Sequence, residues 1–242
     1  MISISIASHR HGPMARRLLS DLETHCAGRI EIILTENVPE NPAVDWSLVS
    51  VPVKVLRNSE PRGFGANHNS AFRQSSGEFF CVLNPDVRLT SDPFPELLRE
   101  LSAPRTGVAA PLIVDSGGAV QDSARRFPTP VSLLRKALMS PVPPDYAIRD
   151  EPFSPDWVAG MFMVFPRDVF REIGGFDERY FLYYEDVDLC ARLRRKGYEI
   201  RLNPRARAIH DARRDSHRDL EYFARHLRSA LRYFLSRRQR RL

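Results

Sequence analysis

Three carboxylates stand close together in the stretch YFLYYEDVDL (residues 180–189): Glu185, Asp186 and Asp188, directly after an aromatic and apolar run. The segment DVDLCARLRRKG (186–197) reads as a helix with Gly197 after its end, so the acids fall at its N-terminal turn. Acids there are favoured by the helix dipole and can cap free N–H groups, which accounts well for one or two of them. It accounts less well for three, because like charges raise each other's pKa when desolvated. A carboxylate held partly buried beside others is a candidate general base. A second candidate is Asp86, in LNPDV (83–87), where the apolar strand EFFCVL (78–83) runs into Asn84-Pro85-Asp86. Asn-Pro-Asp is good turn chemistry. A carboxylate at a strand's C-terminal end also suits a divalent cation, which usually takes one or two carboxylates plus phosphate oxygens. Spacing alone leaves both readings open at each place.

The surrounding elements say how these groups are positioned. The first half alternates strand and helix: strands at 2–8, 30–34, 53–57 and 78–83, helices at 14–26 and 65–76. This βαβ rhythm predicts an α/β fold with a mostly parallel, buried central sheet flanked by helices. Ligands then sit beyond the C-terminal strand ends, which carry Ser8-His9-Arg10, Glu36-Asn37, Asn58 and Asn84-Pro85-Asp86. Further strands are expected at 108–114, at 157–165 with an internal Gly160, and at 198–202, with a short helix ending at Gly174. Residues 127–155 are rich in proline and read as a variable excursion with one helix candidate, 131–139. A long amphipathic helix is predicted over 219–235, with Leu220, Phe223, Leu227, Leu231 and Phe234 on one face.

Composition bounds the rest. With 242 residues, 43% hydrophobic, the chain can fill one large domain or two small ones. No apolar run is long enough to cross a membrane, and MISISIASHRHG reads as a first strand and not as a signal peptide. Cys26, Cys81 and Cys190 are scattered, which fits a reducing cytoplasm and gives no zinc-type spacing. The formal charge of +6 suits an anionic ligand, nucleic acid or an acidic membrane face, and much of it lies in RHLRSALRYFLSRRQRRL.

The chain resembles the inverting, family 2 glycosyltransferases of the GT-A fold, and within them the rhamnosyltransferase-like members of bacterial cell-surface polysaccharide assembly. The resemblance runs in order through LTENV (34–38), RGFGANHNSAF (62–72), GEFFCVLNPDV (77–87), VQDSARRFPTP (120–130) and residues 157–200 to His210. The block from Gly174 to Tyr198 is its most specific part.

That resemblance implies a Rossmann-like sheet and a GT-A domain over 1–215: a nucleotide-sugar-binding half (1–113), an acceptor and catalytic half (114–215), and a C-terminal basic helix (216–242). It implies that Asp86, with Asn84 in place of the first acid of an Asp-x-Asp-like motif, and His210 hold Mg2+ or Mn2+ on the donor diphosphate. Ser8, His9, Arg10, Glu36, Arg62, Gly63, Phe64, Asn69 and Asn84 would bind the nucleotide-sugar, a thymidine or uridine diphosphate compound. Asp186 would be the catalytic base, and Glu185 would orient it or the acceptor. Asp188 is expected to cap the helix or pair with Arg192. Trp157, Gly160, Met161 and Tyr183 would border a saccharide or lipid-linked acceptor. Rhamnose is the first expectation for the sugar; galactose, glucose or an N-acetylhexosamine from a uridine donor stay open.

The last helix suits either packing on the domain or peripheral attachment at the inner face of the cytoplasmic membrane. Three other readings fit less well. A nucleic-acid binder would interleave its arginines with exposed aromatics, and no such motif occurs, so nucleic acid is not an expected partner. A non-catalytic relative would have lost Asp86 or Asp186, and a nucleotidyltransferase would carry more glycine than SHRHGPMARR does.

Overall fold

The computed structural model describes residues 1–26, 28, 30–40, 45–46, 51–138, 143–211 and 220–239. The helix candidate 131–139 is observed as far as Leu138, and Met139 lies outside the described residues, as do Asp219 and the terminal Arg240, Arg241 and Leu242.

In chain order the strands are β1 (Ile2–His9), β2 (Ile30–Val38), β3 (Val53–Arg57), β4 (Phe79–Leu83), β5 (Val87–Arg88), β6 (Thr106–Val114), β7 (Ala124–Arg125), β8 (Trp157–Val158), β9 (Phe162–Pro166) and β10 (Glu199–His210). The helices are α1 (Gly12–Cys26), α2 (Phe64–Arg73), α3 (Phe94–Leu101), α4 (Pro130–Leu138), α5 (Arg167–Glu172), α6 (Glu185–Arg195) and α7 (Leu220–Gln239). Eight strands form one sheet in the order β3-β2-β1-β4-β9-β6-β10-β5, and β7 pairs with β8 in a small separate ribbon. The pairs β1–β2, β1–β4, β2–β3 and β6–β10 are parallel, whereas β9 runs antiparallel to both β4 and β6, and β5 antiparallel to β10.

Strand alternation divides the core into two layers. On β1, Ile2, Ile4 and Ile6 face α1 and α3, which contribute Leu18, Leu19, Leu22, Phe94 and Leu97. On β4, Phe80 and Val82 face the other side, where Phe170 of α5, Leu189 and Leu193 of α6 and Tyr233 of α7 pack. Ser3 and Ser5 point to this second layer without loss, because each hydroxyl has a partner: Glu31 Oε1 at 2.5 Å and His68 Nδ1 at 2.7 Å.

Two expectations are corrected. Residues 157–165 form no single strand: β8 and β9 belong to different sheets, and Gly160 and Met161 make the turn between them. The last sheet strand does not stop at 202 but runs on to His210, absorbing Asn203-Pro204 as an irregularity in its pairing with β6.

Asp188 and Arg192 form the expected i, i+4 pair at 2.7 Å. The same guanidinium also donates to the carbonyls of Ile173 and Gly175, so it ties α6 to the loop that precedes the aromatic run. Asp188 is buried and Arg192 partly so, and Arg192→Ala removes the ion pair together with both carbonyl bonds; a loss of about 3–5 kcal/mol is expected in urea unfolding.

Candidate active site

One edge of the sheet gathers the polar strand ends. The C-termini of β1, β2, β3, β4, β6 and β10 point there, and the antiparallel β9 begins there, with Phe162 opposite Leu83.

Asp86 sits in the turn between β4 and β5. Its turn is braced from below: Arg88 makes a bidentate pair with Asp21 of α1 (2.6 and 2.9 Å), and Asp21 also accepts the Leu89 N–H. Since β5 pairs with the end of β10, His210 lies opposite Val87, and its Nε2 is 3.3 Å from Asp86 Oδ2. Burial alone would raise the Asp86 carboxyl. The hydrogen bond and charge of His210, its own backbone N–H and the charge of His11 outweigh that and hold it below the usual range. The other oxygen, Oδ1, is buried with no hydrogen-bond partner. A low-pKa carboxylate with an orphaned oxygen beside an imidazole fits a divalent cation. Among the described residues no third His, Cys, Asp or Glu joins them, so phosphate oxygens and water would complete such a shell.

The acidic helix start lies next door. Asn84 N–H donates to the Met161 carbonyl (2.9 Å), and the neighbouring Gly160 N–H donates to Asp186 Oδ2 (2.9 Å). Asp186 Oδ1 accepts the Val187 N–H at 2.8 Å, so one oxygen satisfies a free N–H of the helix's first turn. A Cβ placed on Gly160 would touch both the Phe64 ring (3.4 Å) and Asp186 Oδ2 (3.5 Å). The carboxylate, a bare glycine backbone and an aromatic ring thus meet at one point. Tyr183 and Tyr184, immediately before the helix, both have left-handed backbones (φ 69°), a strained conformation of the kind found at functional sites.

The three acids have three environments. Asp188 is spent on Arg192. Glu185 is 5% exposed with Oε2 unpartnered, and burial, then the charge of Asp186, push its carboxyl well up. Asp186 is half-buried. Burial raises its carboxyl too, but the Gly160 and Val187 N–H groups and the charge of Arg125 pull it back. Of the two neighbours, Asp186 is therefore the one that ionises first.

Arg125 carried no role in the sequence reading, although it stands in the quoted VQDSARRFPTP. Its β7 position pairs directly with Trp157 on β8, and its guanidinium lies over that indole, 5.4 Å from the ring centre. A raised carboxyl is protonated at a higher pH than an ordinary aspartate, so base activity is lost as pH falls through that raised value. Removing a neighbouring positive charge raises it further. Arg125→Ala is therefore expected to move the acid limb of kcat/KM to higher pH, with the other ionisation unchanged.

The remaining sites divide into those that face the edge and those already committed. Gly63 and Phe64 are held against the aromatic run: Phe64 N–H donates to the Phe181 carbonyl (2.8 Å), and a Cβ on Gly63 would lie 2.8 Å from that oxygen. Gly63→Ala is expected to lower stability by about 1–3 kcal/mol in urea unfolding, by forcing this contact apart. Met161 and Trp157 border the same turn, and Trp157 Nε1 donates to the Arg126 carbonyl. His9 and Arg10 are exposed at the end of β1. Partial burial, then the charges of His11, Arg10 and Arg225, hold the His9 imidazole low, which marks this strand end as electropositive. Ser8 is buried, donating to Glu40 Oε1 at 3.0 Å and accepting the His11 N–H. Glu36 has both oxygens engaged, by Trp46 Nε1 (2.6 Å) and Arg57 Nε (2.8 Å). Asn69 uses its amide on the backbone of Phe176, donating to its carbonyl and accepting its N–H, both at 2.9 Å. Arg62 reaches Glu178 at 3.4 Å, while its backbone is bound by Asn37 Oδ1. Asn37 and Asn67, both unassigned from sequence, hold this loop through the Arg62 carbonyl and Asn58.

Residues 3–174 match Glycosyl transferase family 2, which is well over half of the chain. This chain is a family 2 glycosyltransferase. Residues 151–217 of the glycosyltransferase also match the family described as N-terminal domain of galactosyltransferase. Its relatives include an N-acetylglucosaminyl-diphospho-decaprenol L-rhamnosyltransferase of Mycobacterium tuberculosis, 29% identical over 90% of this chain and 78% of that one. Rhamnosyltransferase WbbL of Escherichia coli is 28% identical over 98% of this chain and 94% of its own length. Solved structures share the GT-A fold of this glycosyltransferase. GalNAc-T7 with UDP, GalNAc and Mn2+ has a TM-score of 0.65 at 18% identity, covering 87% of this chain and 43% of that one. The mannosyltransferase PcManGT from Pyrobaculum calidifontis, with GDP-Man and Mn2+, has 0.64 at 15% identity, covering 96% and 64%. The glycosyltransferase thus spans less than two thirds of either solved chain.

Proposed function

We propose that this glycosyltransferase moves a sugar, L-rhamnose first among the candidates, from a thymidine or uridine diphosphate donor to a lipid-linked saccharide, with inversion, in cell-surface polysaccharide synthesis. Residues 1–113 bind the donor and 114–215 the acceptor. The rhamnosyltransferase relatives support the sugar, and the decaprenol-linked substrate in one relative's name supports the acceptor class. The observation that carries the reading is the half-buried Asp186 carboxylate, fixed by the N–H of Gly160, whose neighbour Met161 is bonded to Asn84 of the turn that carries Asp86.

In this reaction Asp186 takes the proton of the acceptor hydroxyl. The oxygen's electron pair forms the new bond to the anomeric carbon from the face opposite the diphosphate. The old carbon–oxygen bond breaks, its electrons pass to the diphosphate, and the configuration inverts. Glu185, buried beside Asp186, orients it or the acceptor. A divalent cation, Mg2+ or Mn2+, held by Asp86 and His210 would supply Lewis-acid stabilisation of the departing diphosphate. The exposed Arg10 and the electropositive end of β1 attract that diphosphate. Tyr183 and Trp157 line the acceptor side. The enzyme works in the cytoplasm, in peripheral contact with the inner face of the membrane that holds its acceptor.

The test is transfer from dTDP-rhamnose and from UDP-sugars to a prenyl-diphosphate N-acetylglucosamine, with the product's anomeric configuration read by NMR. Inverted product from one donor class is expected. Retained configuration, or no product from any donor, contradicts the reading.

A further inference from the structure

The positive charge of this chain is not spread over it. Residues 220–242 hold seven arginines and one glutamate, which is the whole formal excess of +6. Glu221 is the last acidic residue, so from 222 onward every charge is positive.

The helix that carries this charge, α7, has two different faces. The inner face holds the acceptor wall. Ser229 Oγ donates to the Leu182 carbonyl (2.8 Å), the His226 ring lies 5.3 Å from both Tyr183 and Tyr184, and the Tyr233 ring lies 5.6 Å from Tyr184. The outer face carries Leu227, Leu231 and Leu235, one turn apart and 51, 56 and 61% exposed. They line a groove of about 500 Å³ together with Arg228 and Arg232. The single apolar face read from the sequence is thus split. Phe234 packs inward, Leu227 and Leu231 face out, and the side chains of Leu220 and Phe223 lie outside the described residues.

Three leucines in line on a solvent face are an apolar patch without a packing role. Their arginine neighbours narrow what can cover them. An apolar stripe flanked by Arg228, Arg232 and Arg179, the last paired with Asp177, matches a surface that offers hydrocarbon just beneath a layer of negative phosphates. No helix among the described residues is long and apolar enough to cross a membrane, so α7 would lie along such a surface.

We infer that the outer face of α7 docks on an anionic phospholipid bilayer. Leu227, Leu231 and Leu235 enter the boundary between headgroups and acyl chains, and Arg228 and Arg232 bind the phosphates. Because the inner face grips Leu182 to Tyr184, docking sets the acceptor wall at the bilayer surface. The purpose of the contact rests on the proposed lipid-linked acceptor; vesicle binding itself needs no turnover.

The test is co-sedimentation of the full chain with phosphatidylcholine vesicles, with and without phosphatidylglycerol. Binding to the anionic vesicles alone is expected, weakening as salt is added. Leu227→Asp with Leu231→Asp abolishes it. Arg228→Gln with Arg232→Gln weakens partitioning by roughly 25-fold, about 1 kcal/mol per arginine. Thermal stabilisation by nucleoside diphosphate stays unchanged in both variants, which separates this inference from the donor-site reading. Absence of vesicle binding, equal binding to neutral vesicles, or full binding by the leucine variant overturns the inference. So does a leucine variant that alters only self-association, which would assign the stripe to a second copy of the chain.

Discussion

Asp186→Asn is expected to lower kcat by about 10²–10⁴-fold, the usual worth of a general base, while nucleoside diphosphate affinity stays unchanged. The substitution keeps the side chain's shape and leaves an acceptor for the Gly160 N–H, which now meets Oδ2 at 2.9 Å. The fold should therefore survive, and thermal unfolding checks that it does. What is lost is the capacity to take a proton. Glu185 is poorly placed to substitute for it, because its side chain is buried, at 5% exposure. Rates measured at saturating donor separate this loss from any weakening of binding. A variant that transfers sugar at the wild-type rate would sink the assignment.

Asp86→Ala is expected to have the second largest effect, and on a different quantity. It removes the low-pKa carboxylate beside His210 and with it the orphaned Oδ1 that suits a cation. Affinity for nucleoside diphosphate in the presence of Mn2+ should fall by at least the roughly 10–100-fold that losing an outer-shell partner costs a metal site. Titration calorimetry with and without Mn2+ is the check: the two affinities should converge in the variant. If Mn2+ still tightens binding in Asp86→Ala as much as in the wild type, the cation sits elsewhere. His210 cannot hold the site alone, since a lone imidazole offers one neutral ligand and no charge to balance the cation.

Much of this arrangement is legible in the sequence, and the missing parts share a cause. The βαβ alternation of the first half locates the strand ends that carry Ser8, Glu36 and Asn84, because local periodicity and sheet topology agree there. The i, i+4 spacing of Asp188 and Arg192 left a helix cap or an ion pair open, and the structure shows the pair. The turn at Gly160 was not. An apolar run from Trp157 to Phe165 has the same pattern whether it is one strand or two, and only the Gly160 N–H turning to Asp186 divides it. The end of β10 was hidden for a related reason. Asn203-Pro204 reads as a break, yet the pairing with β6 resumes at Arg207 and carries His210 to Asp86. Arg125 was missed because its significance lies in Trp157 and Asp186, both distant in sequence. On α7 the 3.6-residue period groups Leu227, Leu231 and Phe234 on one face, and tertiary packing alone decides that Tyr233 and Phe234 go in while Leu227 and Leu231 stay out.

The most direct test of the central claim, a cation-assisted nucleotide-sugar site at these strand ends, is thermal unfolding with dTDP, UDP and GDP, each with and without Mn2+. A bound nucleotide at about 100 times its Kd stabilises the fold by roughly 2.7 kcal/mol. An upward shift is expected with the thymidine or uridine compound, one that requires Mn2+ and disappears in Asp86→Ala. A shift of equal size without the cation, or no shift with any of the three, contradicts it.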